Sequence, residues 1–262
     1  MSIKYHRIEA IVIKNIYNEL GNIIRLADSL YWPIIDITLW GLTSVWMQKS
    51  DSGVPNVVLV VMTGLVLWQV INRANQEITL TLIEEIWSKS LVNLFSTPLQ
   101  LSEWILGSLI TGIIKTIFVL FFGGLIVWLF YALNIFQIGW VMLPFTFSLI
   151  LFGWVIGFLG ASFIIYYGQK VQSLPWIMLF LFAPFSAVFY PVKVLPYWMQ
   201  LISRVLPGAY IFEGMREALL CNVFPLKKLL ISLALNIFYL ILTLSFFNYM
   251  FEKSRAKGLS QL

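Results

Sequence analysis

Few residues of this chain belong to the types that perform covalent or metal chemistry. The sequence holds one histidine, His6, and one cysteine, Cys221. One residue of each kind can form neither a disulfide nor a His/Cys zinc cluster. A nucleophile–histidine pair could draw only on His6, which lies in the peripheral N-terminal segment. We therefore expect no catalytic residue, no metal ligand and no cofactor-binding residue in this chain.

The sequence also offers no site for nucleotide chemistry. A phosphate-binding loop of the Walker A type needs a Gly-Lys dipeptide, and the sequence contains none. The apolar segments carry no regular array of Asp, Glu, His or Arg of the kind found in proton relays and voltage sensors. If the protein drives transport, the energy must come from another chain.

The composition is that of a membrane protein. Of 262 residues, 60% are apolar and 11% are charged, whereas soluble domains average about 45–50% apolar and about 25% charged residues. Much of the apolar surface must therefore face lipid, which excludes a disordered tail, a secreted disulfide scaffold and an ordinary soluble enzyme. In a membrane protein the net charge of +5 is first an orientation signal, not a sign of nucleic-acid affinity.

Intervals without charged residues locate the spans. A spanning helix needs about 20 apolar residues, so the uncharged interval 116–169 must hold two helices, joined by a turn at 134–139. Backbone polar groups in lipid must be bonded within their own segment, which favours helices over open strands. The sequence thus predicts an all-α integral membrane protein with six transmembrane helices, near 30–47, 56–73, 106–132, 140–166, 173–190 and 229–250.

Basic residues orient the predicted spans. Both the first 29 residues and the residues after 251 are rich in Lys and Arg, so we expect both termini to be cytoplasmic. The segments 77–104 and 167–172 then also face the cytoplasm. The segment 191–228 is predicted to lie outside although it holds five basic residues, so the charge bias is modest.

Residues 1–29 have the pattern of an amphipathic helix. Apolar residues recur at helical spacing from Ile8 to Ile24, and polar residues occupy the other face. The segment has neither the apolar core nor the cleavage site of a signal peptide. We expect a helix lying on the cytoplasmic leaflet; a helix packed on a partner protein is the competing interpretation.

The segment 77–104 is a second amphipathic stretch, between the second and third spans. Its apolar residues share one helical face, which the charged residues do not join, and Pro98 ends the helix. That face consists of Ile83, Ile86, Trp87, Leu91 and Leu94. A rigid helix here could transmit force from a soluble partner, and a surface-bound connector is the alternative.

Five of the ten prolines fall between residues 175 and 207. Pro184 lies inside the fifth predicted span and should kink it. Beyond it, the segments 196–206 and 209–220 predict two helices too short to span. They could be re-entrant elements that enter the membrane from outside, or amphipathic helices on the outer surface. Glu213 and Arg216, three residues apart, are expected to form an internal pair.

Small and charged residues inside the spans bear on packing and transport. Gly153, Gly157 and Ala161 repeat every four positions, which supports close helix packing within the chain or at a dimer seam. Asp36 is the one carboxylate predicted at membrane depth, and it should face protein or water, as part of a translocation path or as a structural hydrogen-bonding group. Lys115, near the start of the third span, is expected to snorkel.

The order of these features resembles the type-2 ATP-binding-cassette (ABC) exporter permeases. Two motifs are the most specific: Leu-Phe-Ser-Thr-Pro-Leu-Gln-Leu-Ser-Glu-Trp at 94–104, and Ala-Pro-Phe-Ser-Ala-Val-Phe-Tyr-Pro-Val from residue 183, followed by Leu-Pro-Tyr-Trp-Met-Gln. The resemblance covers nearly the whole chain. The sequence departs from the family pattern at Ala187, where many members have glycine, and at Leu206-Pro207-Gly208, where Asn-Pro is common.

The resemblance implies the permease subunit of an exporter in the bacterial cytoplasmic (inner) membrane. The permease would pair with a second copy of itself, and two ABC ATPase subunits would bind ATP and Mg²⁺ and drive a glycan, a lipid-linked molecule or a hydrophobic small molecule outward. A stand-alone channel or secondary carrier is the alternative, and it would transport without ATP. A membrane-embedded enzyme acting on lipid would need a clustered acid, base or metal set, which the sequence does not offer.

The resemblance also assigns roles to residues. The segment 83–97 would be a cytoplasmic coupling helix that rests in a groove on the ATPase, and 191–220 would be outer re-entrant helices that form a gate. The implied coupling residues are Glu84, Glu85, Trp87, Lys89 and Leu94. The implied gate residues are Pro191, Pro196, Pro207, Glu213 and Arg216.

Overall fold

A computed structural model describes residues 4–50, 57–88, 96–221 and 223–257, and these residues are almost entirely helical, without a strand. The predicted all-α class is confirmed for this part of the chain. Short 3₁₀ turns occur at Ile135–Val141, Gly168–Val171 and Val192–Val194. The α-helices are α1 (Tyr5–Leu20), α2 (Ile23–Ser50), α3 (Val57–Trp87), α4 (Leu101–Tyr131), α5 (Met142–Tyr167), α6 (Leu174–Phe182), α7 (Tyr197–Ser203), α8 (Pro207–Cys221) and α9 (Leu226–Lys257).

Four helical stretches of the described residues are long and apolar enough to cross a membrane. They are Val57–Trp87, Leu101–Tyr131, Ile135–Val171 and Leu226–Ala256. Each overlaps one predicted span. The predicted spans at 30–47 and 173–190 are not among the four, so the count of six stays a prediction.

The fifth predicted span, 173–190, differs from the structure. The α-helix ends at Phe182, and turns follow it, with the amide of Ser186 donating to the carbonyl of Phe182 at 3.0 Å. Pro184 has no amide proton with which to continue the helical ladder, so the helix ends before this proline instead of kinking around it. The nine residues of α6 extend about 14 Å, which is too short to cross a hydrocarbon core of about 30 Å.

Helices α3 and α5 form the core of the bundle, where their backbones come very close. A Cβ atom at Gly153 would lie 2.7 Å from the carbonyl oxygen of Ile71, and one at Gly157 would lie 3.2 Å from that of Asn75. Only glycine permits this approach at Gly153 without a shift of backbone. The predicted small-residue repeat therefore packs within the chain at these two positions.

Helix α1 is also part of the bundle, because its buried residues Ile8 and Ile11 pack on α4. At the contact, a Cβ atom on Gly107 would lie 2.6 Å from Cγ2 of Ile11. The backbone amide of Lys4 donates to Oε1 of Glu103 at 2.9 Å. The first half of the predicted leaflet-bound helix thus rests on this protein's own α4, and its position on the cytoplasmic leaflet stays a prediction.

Replacing Gly107 with alanine should loosen α1 from α4. The added Cβ overlaps Ile11, and overpacking of this kind costs about 1–3 kcal/mol. We expect Gly107→Ala to lower the midpoint of unfolding in mixed micelles and to speed proteolysis within α1. Gly112→Ala in the same helix is the matched control, because its Cβ would meet its nearest neighbour at 3.4 Å. Equal behaviour of the two variants would show that α1 does not depend on this contact.

Candidate functional site

The predicted coupling segment begins as the end of α3 and not as a separate helix. Helix α3 has 31 residues, or about 45 Å of length at 1.5 Å per residue, which exceeds the hydrocarbon core of about 30 Å. Glu84, Glu85 and Trp87 occupy its last turn. Lys89 and Leu94 lie outside the described residues.

The last turn of α3 has one face turned inward and one face exposed. Ile83 and Ile86 are buried in the bundle. Glu85 is buried as well, where Lys14 of α1 forms an ion pair with it. Trp87, in contrast, is 57% exposed. The predicted apolar face is therefore split, and its aromatic residue is available to a partner.

A polar cleft of about 650 Å³ lies between α1 and this end of α3. Asn15 and Asn18, three residues apart on one face of α1, line one wall, and Asn22 follows just after the end of the helix. The side-chain nitrogen of Asn15 is buried and has no hydrogen-bond partner within the described part of the chain. The lining residues are Lys14, Asn15, Asn18, Asn22, Thr81, Glu84, Glu85, Trp87 and Ser88.

Lys115 ties three helices together. Its Nζ lies 2.7 Å from Oε2 of Glu77 on α3 and 2.8 Å from Oε2 of Glu19 on α1. The Lys115 side chain is 18% exposed, so it is largely enclosed by protein. An enclosed charge is tolerated when carboxylates surround it. The sequence did not predict these ion pairs, and the position of Lys115 relative to the membrane interface stays a prediction.

Asp36 is joined to a row of amide side chains on α3. Nε2 of Gln69 donates to Oδ2 of Asp36 at 2.8 Å. Nδ2 of Asn72 donates to Oε1 of Gln69 at 3.4 Å, and Nε2 of Gln76 donates to Oδ1 of Asn72 at 3.0 Å. We call Gln69, Asn72 and Gln76 the amide ladder. The predicted structural hydrogen bond of Asp36 is thus present.

A cleft of about 540 Å³ opens beside the amide ladder, between α2, α3 and α6. Asp36 therefore faces both a protein partner and open space. Sequence reasoning identified Asp36 and missed the ladder, although polar residues at helical spacing beside an apolar span were a usable signal. The described lining residues are Trp32, Pro33, Asp36, Trp68, Gln69, Asn72, Arg73, Gln76, Trp176 and Phe180.

The two short helices expected in the segment 191–228 are present as α7 and α8. Pro196 immediately precedes α7, and Pro207 is the first residue of α8, which are positions where proline suits a helix start. Pro191 precedes the 3₁₀ turn Val192–Val194. The predicted gate prolines therefore mark the starts of successive helical turns.

Helix α8 holds the segment 187–192 by two side chains. Nη2 of Arg216 donates to the carbonyl oxygens of Ala187 at 2.9 Å and Tyr190 at 3.2 Å. Glu213 accepts a hydrogen bond from the amide of Val192 at 3.1 Å. Ala187 has a φ of 54°, a left-handed conformation that suits the glycine found there in many of the permeases that the sequence resembles.

Glu213 and Arg216 form no direct ion pair, although the Glu213 carboxylate still acts electrostatically on the guanidinium. Arg216 reaches across to the carbonyl groups of another segment, and Glu213 lies 3.8 Å from Nζ of Lys228. Lys228 is closer to Glu217, at 2.8 Å. Both carboxylates therefore anchor α8 to the start of α9, an arrangement that the i, i+3 spacing alone could not reveal.

Comparison with known proteins gives one result that covers these sites. A family model described as "ABC-2 type transporter" matches residues 12–220. The match runs from α1 into the last turn of α8 and includes both clefts, Lys115 and the anchored segment 187–192. No curated protein matches the chain.

Removing the Lys115 charge should destabilise the bundle strongly. Two enclosed carboxylates would lose the ammonium group that lies beside both of them, and breaking a buried ion pair in this way costs about 3–5 kcal/mol. We expect Lys115→Met to lower the unfolding midpoint in mixed micelles and Lys115→Met/Glu77→Gln to regain part of the loss. Arg255→Met is the control, since Arg255 and Glu252 pair on the surface at 67% and 66% exposure, and it should change little. Equal effects of Lys115→Met and Arg255→Met would contradict the enclosed triad.

Proposed function

The chain belongs to the ABC-2 type transporter family, and from this premise we propose that it is the permease subunit of an exporter driven by ATP hydrolysis on a separate subunit. Membership of the family and the long apolar helices make it a multi-pass membrane protein and the membrane component of a transporter. In the proposed assembly the chain pairs with a second copy of itself and with two ABC ATPase subunits, which bind ATP and Mg²⁺. The assembly lies in a bacterial cytoplasmic membrane with both termini inside.

The observation that carries this proposal is the form of α3. One uninterrupted helix leaves the bundle core and ends in an exposed tryptophan, Trp87, beside Glu84 and the polar cleft. Tryptophan is enriched in protein interfaces. We propose that Glu84, Glu85 and Trp87, with Lys89 and Leu94 beyond the described part, contact the ATPase. Closure of the ATPase pair on ATP would then move α3.

The proposed outer gate, on the side of the membrane opposite to the proposed ATPase contact, consists of α7 and α8. Arg216 and Glu213 bind α8 to the segment 187–192, so the segment and the helix would move together. Pro191, Pro196 and Pro207 set the turns between these pieces. Substrate would pass outward between the two permease copies, with Asp36 on its path.

Cysteine crosslinking tests the ATPase contact. The free Cys221 is first replaced in a Cys221→Ser background. We expect a Trp87→Cys variant to crosslink to the copurifying ATPase through a bifunctional maleimide. Trp140→Cys is the matched control, because Trp140 is 86% exposed but lies between α4 and α5, and it should give no such product. Absence of a Trp87→Cys product in a complex that hydrolyses ATP would overturn the coupling role, as would uphill transport by the permease alone.

The same two variants test the orientation. A membrane-impermeant maleimide added to intact spheroplasts should label Trp140→Cys, which the proposal places outside. It should label Trp87→Cys only after the membrane is permeabilised. The cysteine-free background gives the unlabelled control, and the reverse order of labelling would show that the end of α3 is not cytoplasmic.

A further inference from the structure

We propose that the cleft beside the amide ladder binds a neutral saccharide, which makes the cargo of the transporter a glycan or a glycan-bearing molecule. The cleft measures about 540 Å³, within the range of about 300–1,000 Å³ that is typical of ligand pockets. The assignment of the saccharide as cargo rests on the proposed function, whereas its binding to the cleft does not involve the ATPase.

The lining of the cleft is unusual for so apolar a protein. Half of its ten described lining residues carry an amide, a carboxylate or a guanidinium group, and the other half are Trp, Phe or Pro. No Leu, Ile or Val is among them. The pocket of about 250 Å³ between α1, α2, α3 and α4 shows the contrast, since aliphatic residues such as Ile16, Leu20 and Ile114 line it beside three charged side chains. The cleft therefore does not have the lining of a groove for acyl chains.

The amide ladder suits hydroxyl groups. A primary amide offers two N–H donors and a carbonyl acceptor, and each hydrogen bond along the ladder engages one N–H of its donor residue. Among the residues that the structure describes, the second N–H of Gln69, Asn72 and Gln76 has no hydrogen-bond partner, which leaves it for a ligand. Gln69 and Gln76 are buried within the protein, where polar groups are costly unless they are used.

The aromatic residues suit the other surface of a sugar. Trp32 on α2 and Trp176 and Phe180 on α6 line the same cleft as the ladder on α3. Flat rings provide an apolar face on which the C–H groups of a pyranose can stack, and a tryptophan ring also offers a polar N–H. A ligand with hydroxyl groups at its edge and C–H groups on its face matches both sets of residues.

The charges favour a neutral ligand over an ion. Asp36 and Arg73 both line the cleft, which puts one formal charge of each sign on its wall. An aromatic cage for a quaternary ammonium ion would be favoured by net negative charge, and a site for an anionic group would need net positive charge. An uncharged polyol requires no net charge in the cleft.

Saturation-transfer difference NMR tests the proposal on the full-length permease. The protein is held in nanodiscs and kept free of alkyl-glycoside detergents, which are themselves saccharides. The probes are maltotriose, cellotriose, mannotriose and triacetylchitotriose, with choline as the cationic comparison. We expect at least one trisaccharide to bind and choline to give no signal.

Variants locate the binding. Trp176→Leu should weaken trisaccharide binding at least about fivefold, which corresponds to about 1 kcal/mol for one lost stacking contact. Trp176→Phe keeps a flat ring and should retain binding, which separates stacking from misfolding. Trp140→Leu, far along the chain from the cleft, should leave binding unchanged.

Three results would overturn the saccharide site. They are no binding of any of the four trisaccharides, binding that Trp176→Leu leaves intact, and choline binding that Trp176→Leu removes. If any of these occurs while Trp87→Cys still crosslinks to the ATPase, the saccharide assignment fails and the proposed function stands. If a trisaccharide binds as expected but the ATPase contact is absent, the saccharide site stands and the proposed function fails.

Discussion

The close approach of α3 and α5 is the constraint on which the other features depend. Helices in lipid gain little from the hydrophobic effect between them, so their association relies on short-range packing of backbones and small side chains. Gly153 and Gly157 make that packing available on one face of α3, at Asn75 and its neighbours. With this face fixed, Gln69 must point toward α2 and Glu77 toward Lys115 on α4. One interhelical contact thereby determines where the polar side chains of α3 can act.

Sequence reasoning succeeded where a single local rule decides the outcome. The absence of charge over about 20 residues marks apolar helices because lipid excludes charged groups, and four such helices are present in the described residues. The spacing of Gly153 and Gly157 indicated packing because residues four apart share a face. Two short helices between 191 and 228 followed from proline positions. Each of these inferences needed only residues within one or two turns of each other.

Sequence reasoning failed where the contact of a side chain is determined by a residue that is distant in sequence. The ion pair of Lys115 was not predicted, because its partner Glu19 lies 96 residues away in sequence. Glu213 and Arg216 were matched by spacing, while the carbonyl of Ala187, 29 residues earlier, holds the guanidinium. The amide ladder was overlooked for a different reason. Amides carry no charge, so a search for charged residues at membrane depth finds Asp36 and passes over its partners.

The continuity of α3 has a mechanical consequence. A hydrogen-bonded helix of about 45 Å acts as a stiff lever, and a tilt of about 5° about one end displaces the other by about 4 Å. Two different kinds of contact hold α3 in place. Close packing against glycine residues holds its middle, and ion pairing holds the end near Trp87. A displacement of a few ångströms at Trp87 would therefore rotate α3 about its contact with Gly153. The opposite end of the helix would move in the opposite direction. The pivot, where Gly153 meets Ile71, lies near the level of the amide ladder, so the side chains of the ladder would rotate more than they translate.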